Sequence, residues 1–347
     1  MSDPDSIVRS IFGKLNREVV PKVKRNAQKM EEYKEKVREA IEKSDSGYSV
    51  QFVHCGSAFE GLAVKEETDF DIVMMLRNPF ESSNFTPRRH PGGFFTLEWK
   101  SHLPVKFVCD SKGVVNASQL RRDLFTRIVN AIDAVKVPGA KISRKEQLVA
   151  VTVEMKYDSG EEISIDFVPL IVFRSWGQCP DLRPLNELPR CLRAYIDTLN
   201  KNKSPIMFFS LAVPNPEGNA NYNQLFSASF GLLEKNFLNS EVKLRDMVRL
   251  VKLKAHQQDW KRLYKFQSFF AKRIAVKHCD ELKTKGVWDG YRAILNYLDQ
   301  EVEKGFIEDY FIKNQVAYTW KPQRAVEFRE AIARALREDP SNILSKM

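Results

Sequence analysis

A glycine-serine pair and three aspartates are the residues of this chain whose types and spacing predict chemistry. Gly56 and Ser57 follow the apolar stretch YSVQFVHC, and Asp69 and Asp71 open the stretch DFDIVMML. Asp166 lies far downstream, in EISIDFVPL. Side chains two positions apart on a strand point to one face, so Asp69 and Asp71 face the same way. We expect a neighbouring strand to bring Asp166 beside them.

The three carboxylates predict a site for divalent cations. Aspartate is disfavoured inside strands, and an unpaired buried carboxylate is costly, so the group needs a compensating charge. Mg²⁺ prefers carboxylate, water and phosphate oxygens, and Mn²⁺ is the alternative; two ions about 4 Å apart can hold the attacking and leaving oxygens of a phosphoryl transfer. We therefore predict Asp69, Asp71 and Asp166 as metal ligands and catalytic residues. Asp166 is also expected to help deprotonate the attacking hydroxyl.

The Gly56-Ser57 pair predicts a phosphate-binding turn. A glycine at a strand end permits a tight turn that aims backbone N–H groups at an anion, and the Ser57 hydroxyl adds a donor. By itself such a pair is typical of an ordinary turn, and a lone Asp-x-Asp is typical of a solvated strand edge. The turn, the acidic strand and the distant third aspartate together favour nucleotide transfer.

Length and composition predict a large globular enzyme. The 347 residues, 43% of them hydrophobic, are enough for one large domain or two medium ones. Five cysteines without paired spacing predict reduced thiols and a cytoplasmic location. The sequence contains no apolar run of about 20 residues and no signal peptide at its N-terminus, so we expect no membrane partner.

Hydrophobic patterning divides the chain into three parts. We predict an N-terminal helix over residues 1–45, a catalytic core of strands and loops over 46–189 that carries all three acids, and a lobe of amphipathic helices over 190–347. Pro21 falls within the apolar pattern of the first helix. Two interpretations remain open, because an interior proline either kinks a helix or separates two shorter ones.

Positive charge is concentrated in two segments. The net charge is +10, and residues 243–278 contain eleven Lys or Arg against two acidic residues, with Arg245 and Arg249 at helical spacing. The second cluster, near the N-terminus, consists of Lys14, Arg17, Lys22, Lys24, Arg25 and Lys29. Charge alone leaves two interpretations open, a surface that binds nucleic acid and a pair of solvated helix faces.

The stretches GSAFEGLAVKEETDFDIVMML and ISIDFVPL resemble the nucleotidyltransferase signature of the cyclic GMP-AMP synthase-like receptors. SFGLLEKNFL at 229–238, RDMVRLVK at 245–252 and KFQSFF at 265–270 continue the resemblance in the family's order. It implies a bilobed α+β nucleotidyltransferase fold, with a mixed β-sheet catalytic lobe, a long N-terminal spine helix and a helical C-terminal lobe. It also implies ATP and GTP as substrates and a cyclic dinucleotide product, similar to cGAMP, in innate immune signalling.

The resemblance also implies nucleotide contacts outside the acidic strands. Lys252 matches a lysine that contacts the triphosphate, Ser268 a phosphate contact and Phe269 an aromatic residue that stacks on a base. Ser229 and Glu234 match positions that line the nucleotide cleft. Two departures leave base recognition open: Ser227 stands where the mammalian enzyme has a base-contacting arginine, and Phe269 replaces a tyrosine, which removes a hydroxyl donor.

The activator implied by the resemblance depends on a missing segment. DNA-sensing vertebrate members carry a zinc-binding insertion where this chain has only NSEVKL, so we expect no structural zinc. Relatives without the insertion include receptors for double-stranded RNA, which makes double-stranded RNA the predicted activator and double-stranded DNA the less favoured one. Dimerisation on the ligand stays open. The alternatives are a template-independent synthase of linear oligonucleotides and a catalytically inactive scaffold of the same fold.

Overall fold

The computed structural model describes residues 3–44, 49–77, 80–90, 94–100, 109–110, 112–179, 182–210 and 222–347. Its helices are α1 Pro4–Glu18, α2 Val20–Lys43, α3 Ala117–Ala134, α4 Arg190–Lys201, α5 Gly231–Ser240, α6 Val242–Gln257, α7 Trp260–Tyr264, α8 Ser268–Lys277, α9 Cys279–Leu282, α10 Val287–Glu303, α11 Pro322–Leu336 and α12 Pro340–Ser345. Its strands are β1 Val50–Cys55, β2 Asp69–Leu76, β3 Phe85–His90, β4 Phe94–Trp99, β5 Ala140–Glu146, β6 Val151–Tyr157, β7 Glu162–Phe173, β8 Met207–Ser210, β9 Phe226–Ser229, β10 Phe306–Glu308 and β11 Val316–Thr319.

A mixed sheet forms the centre of the catalytic part. Within the described residues it has nine strands, in the order β1-β2-β7-β8-β9-β4-β3, with β6 also pairing with β7 and β5 pairing with β6. Strands β2 and β7 run parallel, and the other pairs are antiparallel. The prediction of an α+β fold with a mixed sheet is confirmed.

The two faces of β2 have different surroundings because side chains alternate along a strand. Phe70, Ile72 and Met74 belong to a buried cluster with residues of α2 and α3, which cover this face. Val73 and Met75, on the face that carries Asp69 and Asp71, belong to a separate small cluster with Leu232 of α5. One face of β2 therefore packs the sheet against α2 and α3. The opposite face carries Asp69 and Asp71 at the beginning of the strand.

The N-terminal segment forms two helices separated by Val19. The Val19 N–H still donates to the carbonyl of Leu15, and the Val23 N–H donates to the carbonyl of Val19. Pro21 occupies the first turn of α2. A proline is tolerated there because the N–H groups of a first turn have no partner within the helix. Of the two interpretations of Pro21, the structure has the pair of helices.

The sheet extends beyond the predicted catalytic segment 46–189. Strands β8 and β9 come from later in the chain, and they connect β7 to β4. The predicted boundary after residue 45 lies outside the described residues. In the described part of the chain, no helix has both the length and the apolar character needed to span a membrane.

The cysteines differ from the prediction. Cys191 of α4 and Cys279 at the start of α9 form a disulfide, whereas Cys55, Cys109 and Cys179 are not disulfide-bonded. The prediction that all five thiols are reduced is therefore wrong for this pair. The two positions are 88 residues apart in sequence, and only the packing of α4 against α9 brings them together.

Candidate nucleotide-transfer site

The turn after β1 brings Gly56 against the acidic strand. Cys55 pairs with Asp71 in the antiparallel register of β1 and β2. Gly56 follows with φ +81°, a left-handed conformation that glycine adopts without strain. A Cβ atom at this position would lie 2.5 Å from Oδ2 of Asp71. Both the backbone angle and the space therefore require glycine, and the turn is in direct contact with a predicted metal ligand.

The parallel pairing of β2 and β7 places two acids side by side. Asp71 is opposite Asp166, and Asp69 is opposite Ser164. Directly opposed residues on neighbouring strands point to the same face, so Asp166 joins the face of Asp69 and Asp71. In the described part of the chain, these three carboxylates do not form a group whose ligand atoms all lie within 4.8 Å of one another. They are neighbours without converging on a single point.

Two consecutive side-chain hydrogen bonds orient Asp166. The Thr152 hydroxyl donates to Oδ1 of Asp166 at 2.6 Å, and the side-chain amide of Gln147 donates to the Thr152 hydroxyl at 2.7 Å. The contact leaves Oδ2 of Asp166 to other ligands. These two residues were not among the predicted site residues. The sequence signal for Thr152 is a hydroxyl residue between the valines of VTVEM, and the register of β6 with β7 places it opposite Asp166.

The electrostatics of the acidic group favour a bound cation. The Asp71 residue is exposed at the cleft, and its carboxylate lies against Gly56 and beside Asp166. Burial, together with the carboxylates of Asp166 and Glu60, raises the pKa of Asp71 above its usual value. A divalent cation relieves this repulsion and is matched by hard oxygen donors. The residues present therefore fit the metal that the sequence predicts.

Ser57 and Lys252 meet through one carboxylate. The Ser57 hydroxyl donates to Oε1 of Glu67 at 2.9 Å, and Nζ of Lys252 lies 3.0 Å from the same oxygen. Glu67 is only 7% exposed. Burial lowers the pKa of Lys252, and the adjacent Glu67 acts in the opposite direction. Glu67 was not among the predicted site residues, because no spacing pattern links it to Ser57 and Lys252.

A cleft of about 850 Å³ joins these groups. Its walls come from the turn after β1, the start of β2, helix α6 and the segment around α7. The lining residues are Ser57, Val64, Lys65, Glu67, Asp69, Asp71, Lys252, Ala255, His256, Asp259, Lys261, Arg262, Lys265, Phe266, Gln267 and Ser268. Of the predicted nucleotide and metal residues, the cleft thus contains Ser57, Asp69, Asp71, Lys252 and Ser268, with Gly56 and Asp166 adjoining Asp71.

Three predicted nucleotide contacts lie away from the lining. Glu234 is 3% exposed and pairs with Arg273 at 3.1 Å, so it is a buried ion-pair partner. Burial raises the pKa of Glu234 above the usual glutamate value. Phe269 packs edge-on against Phe270, with the Arg273 guanidinium 5.4 Å from its ring. Ser229 is half-buried at the end of β9.

The predicted nucleic-acid residues divide into exposed and enclosed groups. The exposed ones are Arg17, Lys22, Lys24 and Arg25, and the half-buried ones are Lys14, Lys29 and Arg245. Arg25 and Lys29 both pair with Glu161.

Arg249 is buried at 7% exposure. It donates from Nε to the carbonyl of Ala63 at 3.1 Å, and its guanidinium lies over the ring of Phe12. This position gives Arg249 no surface for a duplex, so its predicted contact with nucleic acid is corrected to a structural one.

Comparison with protein families identifies one match. The model described as the Mab-21 protein nucleotidyltransferase domain matches residues 58–240, which is more than half of the chain. The matched range contains Asp69, Asp71 and Asp166, whereas the Gly56-Ser57 turn precedes it and Lys252 and Ser268 follow it. A search of curated proteins returned no match for the chain.

Proposed function

Because this chain belongs to the Mab-21 nucleotidyltransferase family, we propose that it is a nucleic-acid-activated enzyme that joins ATP and GTP into a cyclic dinucleotide. A nucleotidyltransferase domain implies nucleoside triphosphate substrates, and members of this superfamily typically use divalent metals. The chain-specific part of the proposal is that it is a cyclic GMP-AMP synthase-like receptor, with a cGAMP-like product acting in innate immune signalling from the cytoplasm.

The observation that carries the proposal is the pairing of Asp71 with Asp166 beside the Gly56 turn. This pairing presents carboxylates where a triphosphate held by Ser57 and Lys252 would place its reacting phosphorus. Mg²⁺, or alternatively Mn²⁺, would be held by Asp69, Asp71 and Asp166, and would supply the positive charge that neutralises the transferring phosphoryl group. Thr152 and Gln147 orient Asp166 for its role as a metal ligand.

The reaction proposed is in-line displacement at the α-phosphorus of one triphosphate. A ribose hydroxyl of the second nucleotide forms the new O–P bond, and the bond to pyrophosphate breaks. Asp166 helps to accept the hydroxyl proton, while Lys252 offsets the charge of the departing pyrophosphate. A second transfer of the same kind closes the ring.

Double-stranded RNA is the proposed activator, ahead of double-stranded DNA. Arg17, Lys22 and Lys24 support binding of either duplex, because they are exposed on α1 and α2 and available to phosphates. The preference for RNA depends on the short segment NSEVKL, which stands in place of a zinc-binding insertion. Arg249 of α6 links α1 to the helical part, since its NH1 group lies 3.4 Å from Oδ1 of Asn16.

The test is an assay of product formation by the purified protein. Labelled ATP, GTP, CTP and UTP with Mg²⁺ are incubated with double-stranded RNA, double-stranded DNA or neither, and the products are separated and weighed by mass spectrometry. We expect a cyclic dinucleotide that forms only with RNA. A linear product would instead identify an oligonucleotide synthase.

The matched control is the double variant Asp69→Asn, Asp71→Asn, which keeps side-chain shape and removes two charges. It should lose product formation by at least about 10³-fold while retaining duplex affinity. An equal, low level of product from the parent and the double variant would overturn the assignment of these acids and favour an inactive scaffold.

A further inference from the structure

Glu67 accepts hydrogen bonds from the two side chains that the proposed enzyme needs for binding a triphosphate, Ser57 and Lys252. Its Oε1 accepts hydrogen bonds from the Ser57 hydroxyl at 2.9 Å and from the Lys252 ammonium at 3.0 Å. Ser57 belongs to the turn after β1 and Lys252 to helix α6, so the carboxylate bridges two walls of the cleft. A phosphate oxygen bound by Ser57 and Lys252 would require the same two donors.

The backbone around Glu67 is held independently of its carboxylate. The Glu67 carbonyl accepts from the buried Asn26 side chain of α2 at 3.1 Å, and the Thr68 carbonyl accepts from the Ser164 N–H at 2.8 Å. The Ala63 carbonyl accepts from Arg249 at 3.1 Å. A rotation about the side-chain bonds of Glu67 can therefore free Ser57 and Lys252 while the loop keeps its place.

A carboxylate and a triphosphate compete for such donors. Both are anionic oxygen acceptors, and each hydrogen bond to a charged group is stronger than a neutral one. Two anions close together in a partly enclosed cleft repel each other, because screening by water is reduced there. We propose that Glu67 is an internal competitor of the substrate triphosphate: it closes the phosphate subsite of the free protein and must turn away when a nucleotide binds.

This inference rests on the proposed function, since it assumes that Ser57 and Lys252 bind a triphosphate. It makes Glu67 a determinant of nucleotide affinity rather than a catalytic residue. The change that isolates the competition is Glu67→Gln, which keeps the size of the side chain and removes its charge. The matched control is Glu66→Gln, which removes the neighbouring charge from an exposed side chain that contacts Asn26 outside the cleft lining.

The experiment measures nucleotide affinity by calorimetry, without turnover. The probes are α,β-methylene ATP with Mg²⁺, whose α–β linkage cannot be cleaved, and AMP, which lacks the pyrophosphate tail. We expect Glu67→Gln to bind the ATP analogue about tenfold more tightly than the parent, with an AMP affinity within about twofold. Glu66→Gln should match the parent with both ligands.

The outcomes separate the two proposals. If the parent binds the ATP analogue and Glu67→Gln binds it equally or more weakly, Glu67 positions Lys252 instead of competing, and the inference is overturned alone. If neither protein binds the analogue, either alone or with saturating double-stranded RNA or DNA, the proposed function is overturned as well. Melting curves check that the variant is folded, and Glu67→Ala provides a second variant with the same expected gain in affinity.

Discussion

Gly56 combines a backbone conformation that favours glycine with direct contact to the predicted metal ligand Asp71. Its φ of +81° suits glycine, and an added Cβ would lie 2.5 Å from the Asp71 carboxylate. We expect Gly56→Ala to lower kcat/KM by at least about 100-fold, because either the turn or Asp71 must move from its place. Steady-state kinetics of product formation measures this loss.

Gly160→Ala is the matched control for Gly56. Gly160 has a φ of +84°, close to that of Gly56, but open space surrounds the position of its Cβ. Both alanine variants should lose stability on the order of 1 kcal/mol through the left-handed backbone. Only Gly56→Ala should lose activity, and a comparable loss in Gly160→Ala would show that strain rather than the contact with Asp71 is responsible.

Asp71 illustrates how a catalytic charge opposes stability. Its pKa is raised by burial and by Asp166 and Glu60, so the fold favours the protonated carboxyl. Ionised Asp71 therefore costs stability at neutral pH, and this cost disappears as the pH falls below the ordinary aspartate range of about 4. Without divalent cations, we expect Asp71→Asn to melt about 1–2 °C higher than the parent at pH 7.

Two further measurements test whether the charge of Asp71 destabilises the folded protein. Added Mg²⁺ should raise the melting temperature of the parent more than that of Asp71→Asn, since a ligand stabilises the state that binds it. The advantage of the variant should shrink as the pH is lowered towards 4. A variant that melts below the parent at pH 7 would contradict the idea that the Asp71 charge is held at a cost.

At the scale of elements, helix α6 contributes to two separate surfaces. Lys252 faces the cleft, whereas Arg249, one turn earlier, is buried against Ala63 and Phe12. Replacing Arg249 by Met leaves the Ala63 carbonyl without this donor. An unsatisfied buried acceptor costs about 1–3 kcal/mol, so we expect Arg249→Met to melt about 1–4 °C below the parent without any nucleic acid present.

Lys22→Met provides the contrasting variant, because Lys22 is exposed on α2. It should melt within about 1 °C of the parent, but it should weaken duplex binding. The slope of log affinity against log salt concentration should become shallower by about one. Fluorescence anisotropy at several salt concentrations measures both quantities. If Arg249→Met melts like the parent and loses duplex affinity instead, Arg249 is a nucleic-acid contact after all.

Strand elements were predictable from local pattern, and the contacts between elements were not. Alternation in DFDIVMML and EISIDFVPL predicts which side of each strand carries the acids, and the register of Asp71 with Asp166 agrees with it. The burial of Arg249 depends instead on a loop 186 positions away. Helical spacing shows that a cation recurs on a face, but it does not show whether another element covers that face.

At the scale of the whole molecule, residues 56–68 are held by helices from both the N-terminal and the C-terminal part of the chain. Asn26 of α2 binds the Glu67 carbonyl, Arg249 of α6 binds the Ala63 carbonyl, and Lys272 of α8 pairs with the buried Glu60 at 3.0 Å. The segment also carries Ser57 and leads into Asp69. We therefore expect a displacement of α2 relative to the helical part to shift the phosphate subsite, and an activator bound to α1 and α2 would act through this shift.

The disulfide between Cys191 and Cys279 is a second long-range connection. It joins α4 to α9, and it closes a loop across 88 positions of sequence. A cross-link of this span restricts the unfolded chain and, through the lost chain entropy, stabilises a protein by about 4.6 kcal/mol. We expect reduction, or the double variant Cys191→Ser, Cys279→Ser, to lower the melting temperature by several degrees.

Thiol counting decides whether the disulfide exists in solution. Alkylation of the unfolded, unreduced protein should modify the three cysteines outside the disulfide, Cys55, Cys109 and Cys179, and prior reduction should raise the number to five. Cys109→Ala, which removes a free thiol, should keep the sensitivity of the melting temperature to reductant. Five modified cysteines before reduction would restore the prediction of reduced thiols, and the contact between α4 and α9 would then depend on packing and on the Asp280 carboxylate, which accepts from the backbone N–H groups of Arg190 and Cys191.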